Sequence, residues 1–284
     1  FLSGHFESLI NVGDVFQNVF PLDMAENSVD DAFEGCREAM NELVESKYTK
    51  HEKKHTPGFK NAWNVSLSEA KNGQLEKNQA AAIYMYTQEP NCRVDCTYRE
   101  FNKATRDGKQ AYESGRFQFY TLFFYLTDAI QQLKLNHPNC VTVYRRTNVT
   151  FQKDVYNHRI RFGAFTSTSR LKNLTDFGEE SCFEVHTCYG ADIEEYSAFP
   201  SESEVLIPPY EVFHVTAIEN NSWYIHSIYI DSNLCILQII WSNLPVKHIF
   251  MNFVLIIKTF VLLYIDKVLG NMGKIIYHDM EFFK

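Results

Sequence analysis

The 284-residue chain has no GxGxxG and no Walker loop, so any nucleotide it binds is held without either glycine-rich cradle. It has no pair of CxxC units and no Cys/His cluster at zinc spacing, which argues against a structural metal site. No basic run is longer than a few residues, and 27 Lys+Arg against 35 Asp+Glu give a net charge of -8. A nucleic-acid partner is not expected, because phosphate binding needs a clustered positive surface. Apolar runs are also short. The longest, Phe250 to Ile265, falls below the ~18–20 residues of a spanning helix and carries Lys258 near its middle. A lysine there costs roughly 2.5–3.5 kcal/mol on insertion scales. A glycolipid-anchor signal should end the chain in its apolar tail, yet Asp266 to Lys284 follows. A membrane segment, an anchor, a buried element and a non-native terminus all stay open there. The chain opens Phe1-Leu2-Ser3-Gly4 with no charged-then-apolar leader, so residues 1–21 read as the remnant of a leader or linker.

What is present is ordinary globular composition: 45% hydrophobic and 22% charged residues. Aromatics at 15%, with 23 Phe and 16 Tyr, suit a β-rich core. Seven cysteines are scattered along the chain. Asn64-Val65-Ser66, Asn148-Val149-Thr150, Asn173-Leu174-Thr175 and Asn220-Asn221-Ser222 match the N-glycosylation pattern. Together they point to a secreted or cell-surface chain.

The first half reads as helix. Ser28 with Asp31 resembles a capping box, followed at helical spacing by Ala32, Cys36, Met40 and Leu43. Lys47 to Lys54 (KYTKHEKK) reads as a solvated helix end and loop. Further helices are expected over Ser66 to Met85, Tyr98 to Gln110 and Phe117 to Leu133. The second half changes period. Val141 to Arg145, Phe183 to Cys188, Glu211 to Ile218 and Trp223 to Ile230 read as strands. Helices first and strands after imply an α+β fold, not a doubly wound sheet.

Three elements of the β-rich half carry chemistry. Arg145 ends a strand, Ser167 lies in Thr166-Ser167-Thr168-Ser169, and Glu202-Ser203-Glu204 leads into an apolar run. Singly, each is most simply a surface charge, a turn or a chance pattern. Residues i and i+2 of a strand share a face, so Glu202 and Glu204 converge if the strand begins early enough.

In this order and spacing the elements resemble the active site of the arginine-specific mono-ADP-ribosyltransferases, more closely their extracellular, disulfide-bonded branch. That signature is an Arg, a Ser-x-Ser and a Glu-x-Glu on three strands. Asp30 to Cys36, Tyr86-Thr87 (similar to the family's first nucleotide contact), Phe101 to Ala104, Phe124 to Thr127 and Val205 to Phe213 also resemble family motifs. The resemblance runs from about Leu22 to Cys235.

The resemblance implies an ADP-ribosyltransferase-like fold: a helical half, then a β-rich core of two packed sheets that binds NAD. It implies a catalytic domain over 22–235, with 236–284 a separate C-terminal segment. The implied activity moves ADP-ribose from NAD or NADP, the substrate, to an arginine of an acceptor protein. Glu204 is the implied catalytic carboxylate, Ser167 its positioning group, Arg145 the pyrophosphate ligand and Glu202 the acceptor's partner. Tyr86 and Ser197 match positions that contact NAD. The implied disulfides are Cys140–Cys188 and Cys36–Cys235, with Cys92 and Cys96 close enough for a local bridge and Cys182 left over. No metal is implied, and a monomer is expected. Two positions depart from the family: Arg146 replaces a common Gly, and Ala164 replaces a frequent Gln, both where NAD approaches. These favour a fold kept without turnover. The intact Arg145, Ser167, Glu202 and Glu204 favour a transferase, with NAD glycohydrolysis as the alternative.

Overall fold

The computed structural model describes residues 19–88, 98–174, 177–219 and 226–232. Helices fill the first half and strands the second, as the α+β reading expects. The helices are α1 (Arg37–Leu43), α2 (Thr49–His55), α3 (Phe59–Glu69), α4 (Lys77–Thr87), α5 (Tyr98–Asp107), α6 (Lys109–Glu113) and α7 (Tyr120–Asn136). A π-helical turn, Val44–Tyr48, joins α1 to α2.

The first helix starts later than Ser28 and Asp31 suggest. Phe33 and Gly35 adopt φ of 57° and 76°, which a helix cannot continue through. The acidic residues are used elsewhere: Asp30 pairs with Arg161, and Asp31 accepts from the Phe33 amide (2.8 Å) and the Tyr112 hydroxyl (2.8 Å). The single helix expected over 66–85 is two, interrupted between Glu69 and Lys77. That over 98–110 breaks at Gly108, where a Cβ would lie 2.0 Å from the Ala104 carbonyl oxygen.

The charged run Lys47 to Lys54 is helical, not a loop, and hides an acid. Glu52 is buried and accepts from the Thr121 amide at 3.3 and 3.2 Å, so it caps the N-terminus of α7 from a neighbouring helix. Burial pushes its carboxyl up to about 8, against the pull of the Thr121 bonds.

The strands are β1 (Val19–Phe20), β2 (Val141–Thr147), β3 (Thr150–Phe151), β4 (Arg159–Ile160), β5 (Thr166–Ser169), β6 (Ser181–Thr187), β7 (Ala191–Asp192), β8 (Glu204–Ile207), β9 (Phe213–Glu219) and β10 (His226–Ser232). β1 and β3 form a parallel pair. The others form an eight-stranded sheet in the order β4-β9-β10-β6-β2-β5-β8-β7. β2 meets β5 only through Tyr144 and Ser169, so the sheet divides there into two leaves. Val205 and Ile207 of β8 pack with Val143, Phe183, Val185 and Phe213 between the leaves. Leu206, on the other face of β8, packs with Phe165, Tyr86 and the helices. The alternation of one strand thus builds two cores, and it turns Glu204 and Leu206 toward the helical layer.

Cys140 and Cys188 are joined as the resemblance implies, bridging the neighbouring strands β2 and β6. Cys182 is buried and free. Cys36 is exposed; its expected partner Cys235, like Cys92 and Cys96, lies outside the described residues. So do 1–18 and the apolar stretch 250–265. Among the described residues no helix is long and apolar enough to cross a membrane.

Candidate active site

The three sequence elements meet where the leaves join. Glu204 is the first residue of β8 and pairs with Ser169 of β5, while Ser167 pairs with Leu206. Ser167 and Glu204 therefore project from one face. Arg145 reaches across from β2, where its Nη1 donates to the Ser167 carbonyl at 2.8 Å. Tyr86, at the C-terminal end of α4, donates to the Phe165 carbonyl (2.9 Å) and accepts from Asn102 Nδ2 (3.2 Å). Ser197 donates to Glu204 Oε2 at 3.5 Å. Each of Tyr86, Arg145, Ser167, Ser197 and Glu204 is at most 2% exposed.

Burial sets the electrostatics. It raises the Glu204 carboxyl to about 7; the Ser167 hydroxyl pulls the value down, the Glu202 charge pushes it up, and Ser197 pulls it down. Burial lowers Arg145 to about 10, which leaves it cationic at neutral pH. The Ser167 hydroxyl is near enough to favour the ionised carboxylate, yet neither Ser167 Oγ nor Glu204 Oε1 makes a hydrogen bond of good geometry. Two buried polar atoms with spare capacity suit a polyhydroxylated ligand, which supplies both donors and acceptors.

Glu202 reaches the site by a route that strand alternation does not give. It closes a 3-10 turn, Pro200–Glu202, and β8 begins only at Glu204. Ser203, at φ 45°, reverses the chain between the two acids. The turn is held by Ser169 Oγ donating to the Glu202 carbonyl (2.6 Å) and by the Arg170 amide donating to the Ser203 carbonyl (3.2 Å). The two carboxylates are neighbours because of this turn, not because they share a strand face.

Arg146 does not stand beside Arg145. It projects from the opposite face of β2 and donates through Nε to the Lys172 carbonyl at 3.0 Å. Ala164 is buried, and its carbonyl accepts from Thr166 Oγ1 (3.1 Å). Cys140, His186 and Cys188 bring three metal-ligand atoms within 4.8 Å of one another, but the two sulfurs are bonded together.

A family model described as NAD:arginine ADP-ribosyltransferase matches residues 22–233. The chain belongs to this family. The chicken NAD(P)(+)--arginine ADP-ribosyltransferase 2 is 36% identical to this transferase-family chain over 221 residues, 74% of this chain and 69% of the relative. The mouse T-cell ecto-ADP-ribosyltransferase 2 is 34% identical over 232 residues, 75% and 73% of the two chains. The crystal structure of the eukaryotic mono-ADP-ribosyltransferase ART2.2 superposes with a TM-score of 0.62 at 28% identity, covering 75% of this chain and 94% of that one.

The structure adds residues that motif reading passed over. Asn102 buttresses Tyr86, and Arg106, four residues on in α5, acts electrostatically on both Tyr86 and Arg145. Asn102 lies within the motif Phe101 to Ala104, whereas Arg106 lies two residues beyond it, and nothing in the sequence said which face of this helix meets β5.

Proposed function

We propose that the protein transfers ADP-ribose from NAD or NADP to arginine side chains of an acceptor protein and releases nicotinamide. The observation that carries this reading is the buried, ionisable Glu204 beside Ser167 and Ser197, with the Arg145 guanidinium alongside, on the frame of an arginine ADP-ribosyltransferase. The bond between ribose C1 and nicotinamide breaks, and its electron pair leaves with nicotinamide. The ribose is left resembling an oxocarbenium ion, which the Glu204 carboxylate stabilises in a site too dry to screen it. Ser167 and Ser197 orient that carboxylate and the ribose hydroxyls. Arg145 is the pyrophosphate ligand, with Arg106 adding positive charge nearby. Tyr86 lines the nucleotide side. Glu202 orients the incoming guanidinium and takes its proton as nitrogen bonds to C1. With Arg146 on the far face of β2, its side chain does not crowd the Arg145 side of the strand, which favours turnover over a fold kept without activity.

The reaction needs Glu204 ionised. NAD turnover is therefore expected to rise with pH through about 7 and to fall below it as the carboxyl protonates. A pH–rate profile checks this; a flat profile between pH 5 and 8 would remove Glu204 from its role. The transfer itself is tested with NAD and agmatine, a small guanidine. An ADP-ribosylated agmatine seen by mass spectrometry is expected, and nicotinamide release without the adduct would leave only hydrolysis.

We place the catalytic domain at 22–235 and the protein outside the cell or on its surface, as the name of the mouse relative says of that protein. The Cys140–Cys188 bridge and the exposed Asn148 and Asn173 agree with that compartment. Asn64 is exposed but helical, with Ser66 buried and bonded to the Ala62 carbonyl, an unfavourable setting for an acceptor loop. A Cys36–Cys235 bridge is expected as well. It would close a ~200-residue loop, stabilising by roughly 4–5 kcal/mol on the chain-entropy estimate. Non-reducing peptide mapping should find the cross-linked pair; alkylation of Cys36 in native protein would contradict it.

A further inference from the structure

The run from Lys47 to His55, which no step of the reaction uses, forms a cationic strip on the helical layer. α1, the π-helical turn and α2 follow one another without a break, since Val44 and Tyr48 at the joints keep right-handed helical geometry. One face of this rod is anchored inward: Glu52 accepts from the Thr121 amide, and the Tyr48 ring stacks on that of Tyr120 with centroids 4.1 Å apart. The opposite face is left to solvent. Lys47, Lys50, His51, Lys54 and His55 share it at i, i+3, i+4, i+7 and i+8. Every exposed residue between 47 and 55 is one of these five. The three lysines span roughly 10 Å at 1.5 Å per residue.

The strip has no counter-charge of its own. Glu52 is the sole acid between Lys47 and Ser68. It points inward, and burial holds its carboxyl at about 8, so at neutral pH it is mostly protonated. Among the described residues the ion pairs join other side chains, and none uses Lys47, Lys50 or Lys54. A chain of net charge -8 thus keeps one strip positive, which suits a partner of dense negative charge. Three features narrow that partner. No apolar side chain stands on the strip to enter a bilayer, as an interfacial helix requires. The Tyr48 ring is taken by Tyr120, which leaves no aromatic face on which bases could stack. No arginine is present to grip a phosphate by two bonds; lysines act as point charges. Point charges spaced along one ridge match sulfate groups spaced along a polysaccharide.

We propose that Lys47, Lys50 and Lys54 form a docking strip for a polysulfated polysaccharide chain, which holds the protein on surfaces that carry such chains. The choice of this polyanion over a nucleic acid also rests on the placement outside the cell proposed above; the transferase chemistry does not enter it. None of the three lysines belongs to the site around Glu204, so NAD turnover should not depend on them.

The test measures binding of the full chain to heparin, a polysulfated polysaccharide, as salt is varied. Each lysine that meets a sulfate releases a counterion, so the slope of log K against log salt should shrink by roughly one per lysine removed. The strip variant is Lys47→Gln/Lys50→Gln/Lys54→Gln. A control, Lys71→Gln/Lys77→Gln/Lys153→Gln, makes the same change in net charge elsewhere. Lys71 and Lys77 flank the α3–α4 connection, where Gln74 Nε2 donates to the Gln132 carbonyl (3.3 Å) toward the other end of α7 from Glu52; Lys153 follows β3. Expected are a loss of heparin affinity of about ten-fold or more in the strip variant, with the slope smaller by roughly three, and a loss under about two-fold in the control. Desulfated heparin, phosphatidylserine vesicles and a single-stranded oligonucleotide should each bind the parent more weakly than heparin does. Nicotinamide release by the strip variant, measured without the polysaccharide, should match the parent. No heparin binding by the parent, equal losses in the two variants, tighter strip-dependent binding to vesicles or oligonucleotide, or a fall in nicotinamide release would overturn the proposal. Binding is read without NAD, so a parent with no turnover would end the transferase reading and leave this test intact.

Discussion

Glu204→Gln is expected to lose NAD turnover by about 10²–10³-fold or more, in transfer and hydrolysis together. It should also make the protein more stable above neutral pH. Both effects follow from burial. A carboxylate that is 1% exposed acts strongly on a developing cation, and for the same reason it is costly to ionise. Its folded-state pKa of about 7 lies above the ordinary carboxylate value, so the folded protein holds a proton that the unfolded chain gives up at lower pH. Stability from this group is complete below the unfolded pKa and is lost as pH rises through about 7. Gln cannot ionise, so it removes that loss, by up to about 3 kcal/mol at pH 8. Thermal melts at pH 5 and pH 8 check the sign: the variant should gain on the parent only at the higher pH. A variant that folds and turns over NAD normally would end the assignment of Glu204.

Glu202→Ala is expected to abolish arginine modification while keeping NAD hydrolysis. Cleavage of the glycosidic bond needs one carboxylate; only a guanidinium nucleophile needs a second, to orient it and take its proton. The geometry adds a consequence. The Glu202 charge helps hold the Glu204 carboxyl up, so its removal should move the acid limb of the hydrolysis profile to lower pH. Hydrolysis at pH 6 should then rise relative to the parent. If Glu202 were only a solvated turn charge, the variant would modify agmatine as well as the parent, and the acceptor assignment would fail while the NAD chemistry stood.

Arg145, Ser167 and Glu204 were legible in the sequence because each sits in a short local pattern, and β-sheet register carries that pattern into space. The helical layer was legible because Phe117 to Leu133 carries an apolar stripe at helical spacing; the two leaves followed from the family resemblance, since Val205 to Ile207 is a continuous apolar run buried on both faces. What stayed hidden depends on partners far along the chain. The Thr87 hydroxyl accepts from the Ala198 amide, 111 residues away, and the Tyr196 hydroxyl from the Gln74 amide, 122 away. A threonine that ends a helix looks the same whether or not another backbone docks on it. The early helix start failed similarly: Ser28 and Asp31 form a plausible cap, but Asp31 is taken by the Tyr112 hydroxyl, 81 residues away. Glu52 was hidden by its neighbours, since a run of lysines and histidines reads as solvent-facing whichever residue points inward. Glu202 was expected beside Glu204 for the wrong reason; a left-handed Ser203, which alternation cannot foresee, brings the two together.

The most direct test of arginine-directed, Glu204-dependent transfer uses labelled NAD and an arginine-rich protein acceptor, with free nicotinamide and acceptor-bound label measured in one reaction and the modified residues mapped. Equal amounts of nicotinamide and bound label, all of it on arginine and none with Glu204→Gln, is the expected result. Nicotinamide without bound label, or label on other residues that persists in Glu204→Gln, would contradict it.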